Sequence, residues 1–201
     1  FTSAGTTTFD SDTDNDGSGT FTLASALSAG NNAISLTAGG LALNSTLSSG
    51  TASTTILASL SGATIGLGAS SCGGTCGVSL TSTELGNITA GSLTIGNTSN
   101  GAITVEGVSS TDSDQFGSLT LNATASGSSV TFENSDSTFQ GLTVNAENGI
   151  TLSSNLTTNG TTSFDSDSDS DGTGDFTLAA SKTLSTTNNA LSLTSNDIAF
   201  G

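Results

Sequence analysis

The chain has 201 residues and a formal net charge of −16, with 17 Asp and Glu against a single Lys or Arg and no His, Pro, Met, Trp or Tyr. Such a surface cannot neutralise phosphates, so we expect no nucleic-acid partner and no attraction to anionic lipid headgroups. No apolar run approaches about 18 residues, so no transmembrane segment is expected. Cations are the small partners that suit this charge.

An acidic run near the start of the chain is the first marked feature. Four carboxylates alternate with small residues before a glycine: Asp10, Asp12, Asp14, Asp16 and Gly17. D-x-D-x-D-G matches the first half of a calcium loop. Asp12, Asp14 and Asp16 are the predicted side-chain ligands, and the carbonyl of Ser18 is a fourth. An EF-hand is excluded, because Leu23 stands where its bidentate glutamate would be.

Short alternating segments then follow one another along the chain. Each places apolar side chains on one face and Ser, Thr or Gly on the other, as half-buried strands do. These predicted strands are 20–23, 33–36, 54–57, 63–67, 92–95, 102–105, 118–121, 129–132, 141–144 and 149–152. Clusters of Gly, Asn, Asp and Ser between them supply turns.

Two cysteines interrupt this pattern, in the sequence SSCGGTCG. Cys72 and Cys76 are separated by two glycines and a threonine, which let the sulfurs meet. Without His or further Cys, one chain cannot form a four-ligand zinc site from them. A local disulfide is therefore the preferred interpretation and implies an oxidising compartment. A pair of free thiols in a loop is the alternative.

The acidic run returns near the end of the chain. Its second copy comprises Asp165, Asp167, Asp169 and Asp171 before Gly172, with the carbonyl of Thr173 and a water-mediated Asp175 as further candidate ligands. Residues 4–26 align without gaps to 159–181, with fifteen of 23 positions identical, and the match extends over 4–43 and 159–200. The long period is therefore 155 to 157 residues, and we expect residues 1–201 to be one segment of a larger repeat array.

Strands this short suit either a β-sandwich or a β-solenoid. The inward residues are small or aliphatic, and the repeated Asn-Asn and Thr-x-Thr steps suit side-chain ladders between stacked coils, so the solenoid is favoured. A coil of roughly 20 residues predicts about ten coils and a rod of about 45–50 Å. The predicted fold class is thus all-β.

The stretches from Asn31 to Gly68 and from Leu85 to Val108 resemble the repeats of filamentous-haemagglutinin-like giant surface proteins, many of them exported by two-partner secretion. The resemblance covers most of the chain. It implies a right-handed parallel β-helix displayed on the bacterial cell surface. The expected partners are copies of the chain itself or neighbouring repeats end to end, and surface polysaccharide is a further candidate.

Catalysis has few groups to use. The absence of His excludes a Ser-His-Asp triad. A paired-carboxylate glycosidase would need residues such as Asp112 and Asp114, which share one face if extended, but no Trp or Tyr is present to stack a sugar. We therefore expect no enzyme activity. For the acidic runs, calcium or another hard divalent cation is the favoured ligand, and a solvated acidic loop that keeps fibres apart is the alternative.

Three functions remain open. The first is a structural subunit of an extracellular fibre, filament or sheath. The second is the stalk of an adhesin whose binding tip lies elsewhere. The third is a surface-binding module, such as an ice-binding solenoid, which would need a regular T-x-T array that Thr6–Thr8 and its copy do not extend.

Overall fold

The computed structural model describes residues 3–69, 72 and 76–201, and these residues form eight stacked coils. The first two coils contain β1 (Thr7–Asp10), β2 (Thr20–Leu23), β3 (Leu27–Ser28), β4 (Ile34–Ala38), β5 (Gly40–Leu43) and β6 (Leu47–Ser48). The third contains β7 (Ser53–Ala58), β8 (Thr64–Gly68), β9 (Cys76–Leu80), α1 (Ser82–Gly86) and β10 (Ile88–Thr89).

The fourth and fifth coils contain β11 (Ser92–Asn97), β12 (Ile103–Glu106), α2 (Ser110–Ser113), β13 (Ser118–Ala123), β14 (Val130–Phe132) and β15 (Ser137–Phe139). The last three contain β16 (Gly141–Ala146), β17 (Ile150–Leu152), β18 (Leu156–Thr158), β19 (Thr162–Asp165), β20 (Phe176–Leu178), β21 (Leu184–Ser185), β22 (Leu191–Thr194) and β23 (Ile198–Phe200). All ten strands that the alternating pattern predicts are present.

Three faces run along the stack, and every strand pairing is parallel. The first face is one eight-stranded sheet in the order β1-β4-β7-β11-β13-β16-β19-β22. The second face holds the pair β2-β5 and, beside it, β9-β8-β12-β14-β17-β20-β23. The third face holds β3-β6-β10 and β15-β18-β21, with α1 and α2 between them. This parallel β-helix confirms the predicted fold class; its right-handed winding stays an expectation.

The core is built from columns of side chains that repeat from coil to coil. On the first face, register places one inward residue of each coil in line: Phe9, Leu36, Ile56, Ile95, Leu121, Val144, Phe164 and Leu193. The six inner members are fully buried, whereas the two end members are partly covered. Alternation in the sequence thus becomes a continuous apolar core, because each coil covers its neighbour.

Coil length varies more than the sequence suggests. Register partners on the first face lie 20 residues apart between Ile34 and Thr54 but 39 apart between Thr54 and Leu93. The long coil carries β9 and α1 in addition to its three faces. The described residues therefore form eight coils instead of the expected ten, and the first face spans about 34 Å at ~4.8 Å per coil.

Candidate functional site

The first acidic run lies in the loop that joins β1 to β2, at the corner between the first and second faces. Ser11 closes the base of this loop, since its hydroxyl lies 3.4 Å from the carbonyl oxygens of both Gly19 and Thr37. A Cβ on Gly19 would lie 1.9 Å from the Ser11 carbonyl oxygen, so the loop can close only with glycine there. The closed base holds the carboxylates in a compact turn.

Within this loop three carboxylates converge. Asp12, Asp14 and Asp16 each offer one oxygen, and these oxygens lie within 4.8 Å of one another. Asp12 is buried, and its carboxylate accepts hydrogen bonds from the Ser59 hydroxyl and, at 2.8 Å, from the Gly17 amide. These donors favour the ionised form, so the Ser59 hydroxyl above all lowers the pKa of Asp12. The two exposed carboxylates complete a group that could hold a cation.

The second acidic run repeats this local structure six coils later, between β19 and β20. Ser166 takes the role of Ser11, since its hydroxyl donates to the carbonyl of Gly174 at 3.0 Å and lies 3.4 Å from that of Thr194. Positive backbone φ angles recur 155 residues apart, at Asn15 and Ser170 and at two glycines. The flanking ring pairs also recur: Phe9 with Phe21 at 5.2 Å and Phe164 with Phe176 at 5.5 Å.

The second carboxylate group draws on a neighbouring coil. Asp169 and Asp171 converge with Glu147, from the loop between β16 and β17, and their oxygens also lie within 4.8 Å of one another. Glu147 is buried and accepts a hydrogen bond from the Gly127 amide. The Thr173 hydroxyl and amide donate to Asp171 at 2.7 and 2.9 Å and lower its pKa.

The structure separates several predicted ligands from these two groups. Asp10 accepts the Asp12 amide at 3.1 Å, and Asp167 accepts the Asp171 amide at 3.2 Å, so both organise the loop backbone. Asp175 accepts the Asn196 side chain at 3.2 Å. Asp165 lies on β19, with one carboxylate oxygen buried and without a hydrogen-bond partner among the described residues. The carbonyls of Ser18 and Thr173 stay predicted ligands.

Glu147 is the residue that sequence reasoning missed. It lies outside both acidic runs, and only the pairing of β16 with β19, in which Asn145 faces Asp165, brings its loop beneath the second run. The register between coils carries no signal in a single sequence unless the coil length is constant, and here it varies. No motif could therefore have assigned Glu147 to the group.

The two cysteines form a disulfide between Cys72 and Cys76, which confirms the predicted bridge. Cys72 is buried, and Cys76 begins β9, the strand inserted between β5 and β8. Residues 70, 71 and 73–75 lie outside the described residues. The disulfide therefore links the start of the inserted strand β9 to the buried residue Cys72.

The residues considered for a glycosidase adopt another arrangement. Asp112 lies in α2 and its carboxylate accepts the Ser109 amide at 3.3 Å, and Asp114 accepts the Gln115 side chain at 2.6 Å. The segment is therefore not extended, as a shared face of the two carboxylates would require, because Ser109 is the N-cap of a helical turn there. Each carboxylate therefore accepts a hydrogen bond from a residue close to it in the sequence and stabilises the local turn.

No helix among the described residues is long and apolar enough to cross a membrane. The chain matches no protein-family model, no curated protein and no solved structure.

Proposed function

We propose that this chain is a structural segment of a bacterial extracellular fibre, filament or sheath, built from stacked β-helix coils whose acidic loops bind divalent cations. The supporting observation is the recurrence of one closed acidic loop, with the same serine anchor and phenylalanine pair, six coils apart at the same corner. Six coils correspond to about 29 Å along the axis. A stack whose coils contact only their neighbours can be extended by whole units.

Calcium is the proposed ion. Each group offers three carboxylates, to which the predicted Ser18 and Thr173 carbonyls would add backbone oxygens, and Ca²⁺ accepts such oxygen-rich, flexible coordination. Mg²⁺ demands nearly ideal octahedral geometry and gives up its water reluctantly, so it suits such loops less well. Extracellular calcium modules bind with dissociation constants of about 10⁻⁴–10⁻³ M, and we place these loops in that range.

Isothermal titration calorimetry with CaCl₂ tests the cation sites. We expect two ions per chain, loss of one on Asp14→Asn and loss of the other on Asp169→Asn, because each change removes one carboxylate from one group. Asp114→Asn removes the same charge outside both groups and should leave both ions bound. Binding that is absent in the unaltered chain, or equally weakened by all three changes, would refute two discrete sites.

Electron microscopy of the purified chain tests the fibre. Rods joined end to end, with their axes in line, are the expected result, because the ends of a β-helix present unpaired strand edges. Discrete single rods at micromolar to millimolar concentration would count against a filament. They would leave the adhesin stalk, which carries the same stacked coils, as the better account.

A further inference from the structure

A polar groove lies outside the acidic loops, at the corner where the third face turns into the first. It has a volume of about 420 Å³ and crosses the fifth, sixth and seventh coils. Its principal lining residues are Ser118, Gln140, Gly141, Thr143, Asn159 and Gly160, and no charged residue lines it. The groove is therefore distinct in position and in chemistry from both carboxylate groups.

The sequence explains why the surface is indented here. Register aligns Ser92 with Ser53, and Ser118 with Gly141, so the glycine of the sixth coil follows serines of the third, fourth and fifth coils at this edge of the first face. An added Cβ at Gly141 would approach the Ser118 Cβ to 3.3 Å, within the groove. The missing side chain thus opens the floor, and backbone can be approached closely there.

Hydrogen-bonding groups at the groove are left without protein partners. The Gln140 amide and the Thr143 hydroxyl are half-buried, and neither makes a side-chain hydrogen bond within the described residues. Among the described residues, the Asn159 side chain has one long hydrogen bond, in which its oxygen lies 3.5 Å from the Thr187 hydroxyl. These groups can donate and accept, and they need either water or a ligand to satisfy them.

A column of hydroxyls extends this pattern along the axis. Thr143 is one of eight aligned outward residues on the first face, which are Thr8, Ser35, Thr55, Thr94, Thr120, Thr143, Ser163 and Ser192. None of these eight hydroxyls makes a hydrogen bond to the protein within the described residues. In each of the eight coils, this hydroxyl is therefore available to bond to water or to a ligand.

A second column of outward residues, two positions further along each strand of the first face, is inconsistent with ice as the partner. Its members are chemically mixed: Asp10, Thr37, Leu57, Gly96, Asn122, Asn145, Asp165 and Thr194. A T-x-T array needs threonine in both columns, and here the second includes carboxylates, amides and a leucine. The periodic hydroxyls thus adjoin groups that suit a hydroxylated polymer better than a crystalline water lattice.

We propose that this groove binds a neutral polysaccharide segment that lies along the helix axis. Amides and hydroxyls match sugar hydroxyls as donors and acceptors. The uncharged lining offers nothing to pair with a charged ligand, and the net charge of −16 repels anionic glycans. Without an aromatic platform each contact is weak, so binding gains strength as a long polymer engages successive coils.

Affinity electrophoresis in gels containing dextran, mannan, laminarin or, separately, alginate tests this inference, with EDTA present so that cation binding plays no part. We expect retardation by at least one neutral polymer. Gln140→Ala removes a donor and acceptor, and Gly141→Ser fills the floor, so each should weaken retardation by roughly three- to tenfold. Thr131→Ala, which removes a hydroxyl from the second face, is the matched control and should bind as the unaltered chain does.

Circular dichroism melts of all variants show whether each is folded, and the serine found in register at Ser118 indicates that Gly141→Ser is compatible with the coil. Three results would overturn the inference: no retardation by any neutral polymer, unchanged retardation of both folded groove variants, or retardation by alginate alone that the groove variants abolish. None of these results bears on the cation sites, which calorimetry tests separately.

Discussion

Two buried serines differ in whether their hydroxyl has a hydrogen-bond partner. Ser166 is fully buried and donates to the Gly174 carbonyl at 3.0 Å, closing the second acidic loop. Ser154, between β17 and β18, is 1% exposed, and its hydroxyl has no hydrogen-bond partner among the residues that the structure describes. A buried hydroxyl without a partner loses its bonds to water and gains nothing in return.

We therefore expect opposite effects from the same change at these positions. Ser154→Ala should raise the free energy of unfolding by about 1 kcal/mol, because it removes an unsatisfied polar atom. Ser166→Ala should lower it by a similar amount, because the Gly174 carbonyl loses its shortest hydrogen bond and keeps only the longer ones from the Asn196 amide at 3.3 Å and the Ser195 hydroxyl at 3.4 Å. Urea unfolding followed by circular dichroism measures both. A lower urea midpoint for Ser154→Ala would show that its hydroxyl is bonded in solution.

Asp136 illustrates how one carboxylate can connect two coils. Its oxygens accept the Asn155 amide N–H and the Asn155 side-chain N–H, each at 3.0 Å. These bonds favour the ionised form and lower the pKa of Asp136, to which Lys182 adds a smaller attraction. The carboxylate therefore contributes stability above its unfolded pKa, near 4, and this contribution disappears as the pH falls through the lower folded value.

Asn155→Ala should raise the pKa of Asp136 toward its ordinary value, because the side-chain donor is removed while the backbone donor remains. Carboxyl-carbon NMR titration between about pH 6 and pH 2 reads this directly. Asn159→Ala changes a nearby exposed asparagine that does not contact Asp136, and it should leave the titration unchanged. An unaltered pKa in Asn155→Ala would contradict the assigned bonds.

At the scale of elements, side chains at α1 complete the hydrogen bonding of β5. Glu84 accepts the Leu43 amide at 3.0 Å, and the Asn87 side chain donates to the Leu43 carbonyl at 2.8 Å. The same Glu84 carboxylate accepts the Thr81 amide at the start of the helix. Two side chains thus satisfy the backbone of a buried strand residue at the place where the second face divides into two sheets, since β9 makes no ladder pairing with β5.

Glu84→Ala should lower the free energy of unfolding by about 1–3 kcal/mol, since it leaves the buried Leu43 amide unpaired and uncaps α1. Glu84→Gln keeps an acceptor oxygen of the same reach and should retain much of the stability. Chemical denaturation of the three proteins at one pH compares them. Equal stability of Glu84→Ala and the unaltered chain would mean that water replaces the carboxylate.

The whole molecule shows which features a single sequence can specify. Period-2 alternation predicted every strand it marked, because each face of a β-helix buries alternate residues. The repeat of 4–43 at 159–200 located both acidic loops. The insertion of β9 and the participation of Glu147 were not predictable, because they depend on register between coils of unequal length. The helical turn at Asp112 has a local signal instead, the capping pair Ser109 and Asp112, which an analysis of alternation does not detect.

Stacking also determines which apolar residues are covered. Ile198 and Phe200 in the eighth coil are 49% and 68% exposed, whereas Leu43, the repeat counterpart of Phe200, is 1% exposed beneath the third coil. The same sequence motif is therefore core in one coil and surface in another. In this fold the exposed fraction of a side chain depends on the position of its coil in the stack as much as on the residue type.

Because the acidic loop returns to the same corner, the axial distance between its two copies is a whole number of coil spacings. Since all strands are parallel and stacked, removing or adding one whole coil, such as the 26 residues that separate Leu93 from Leu119, changes the axial spacing of the two loops by one step of ~4.8 Å. Distances between features on this scaffold are thus quantised. An engineer could set them by counting coils.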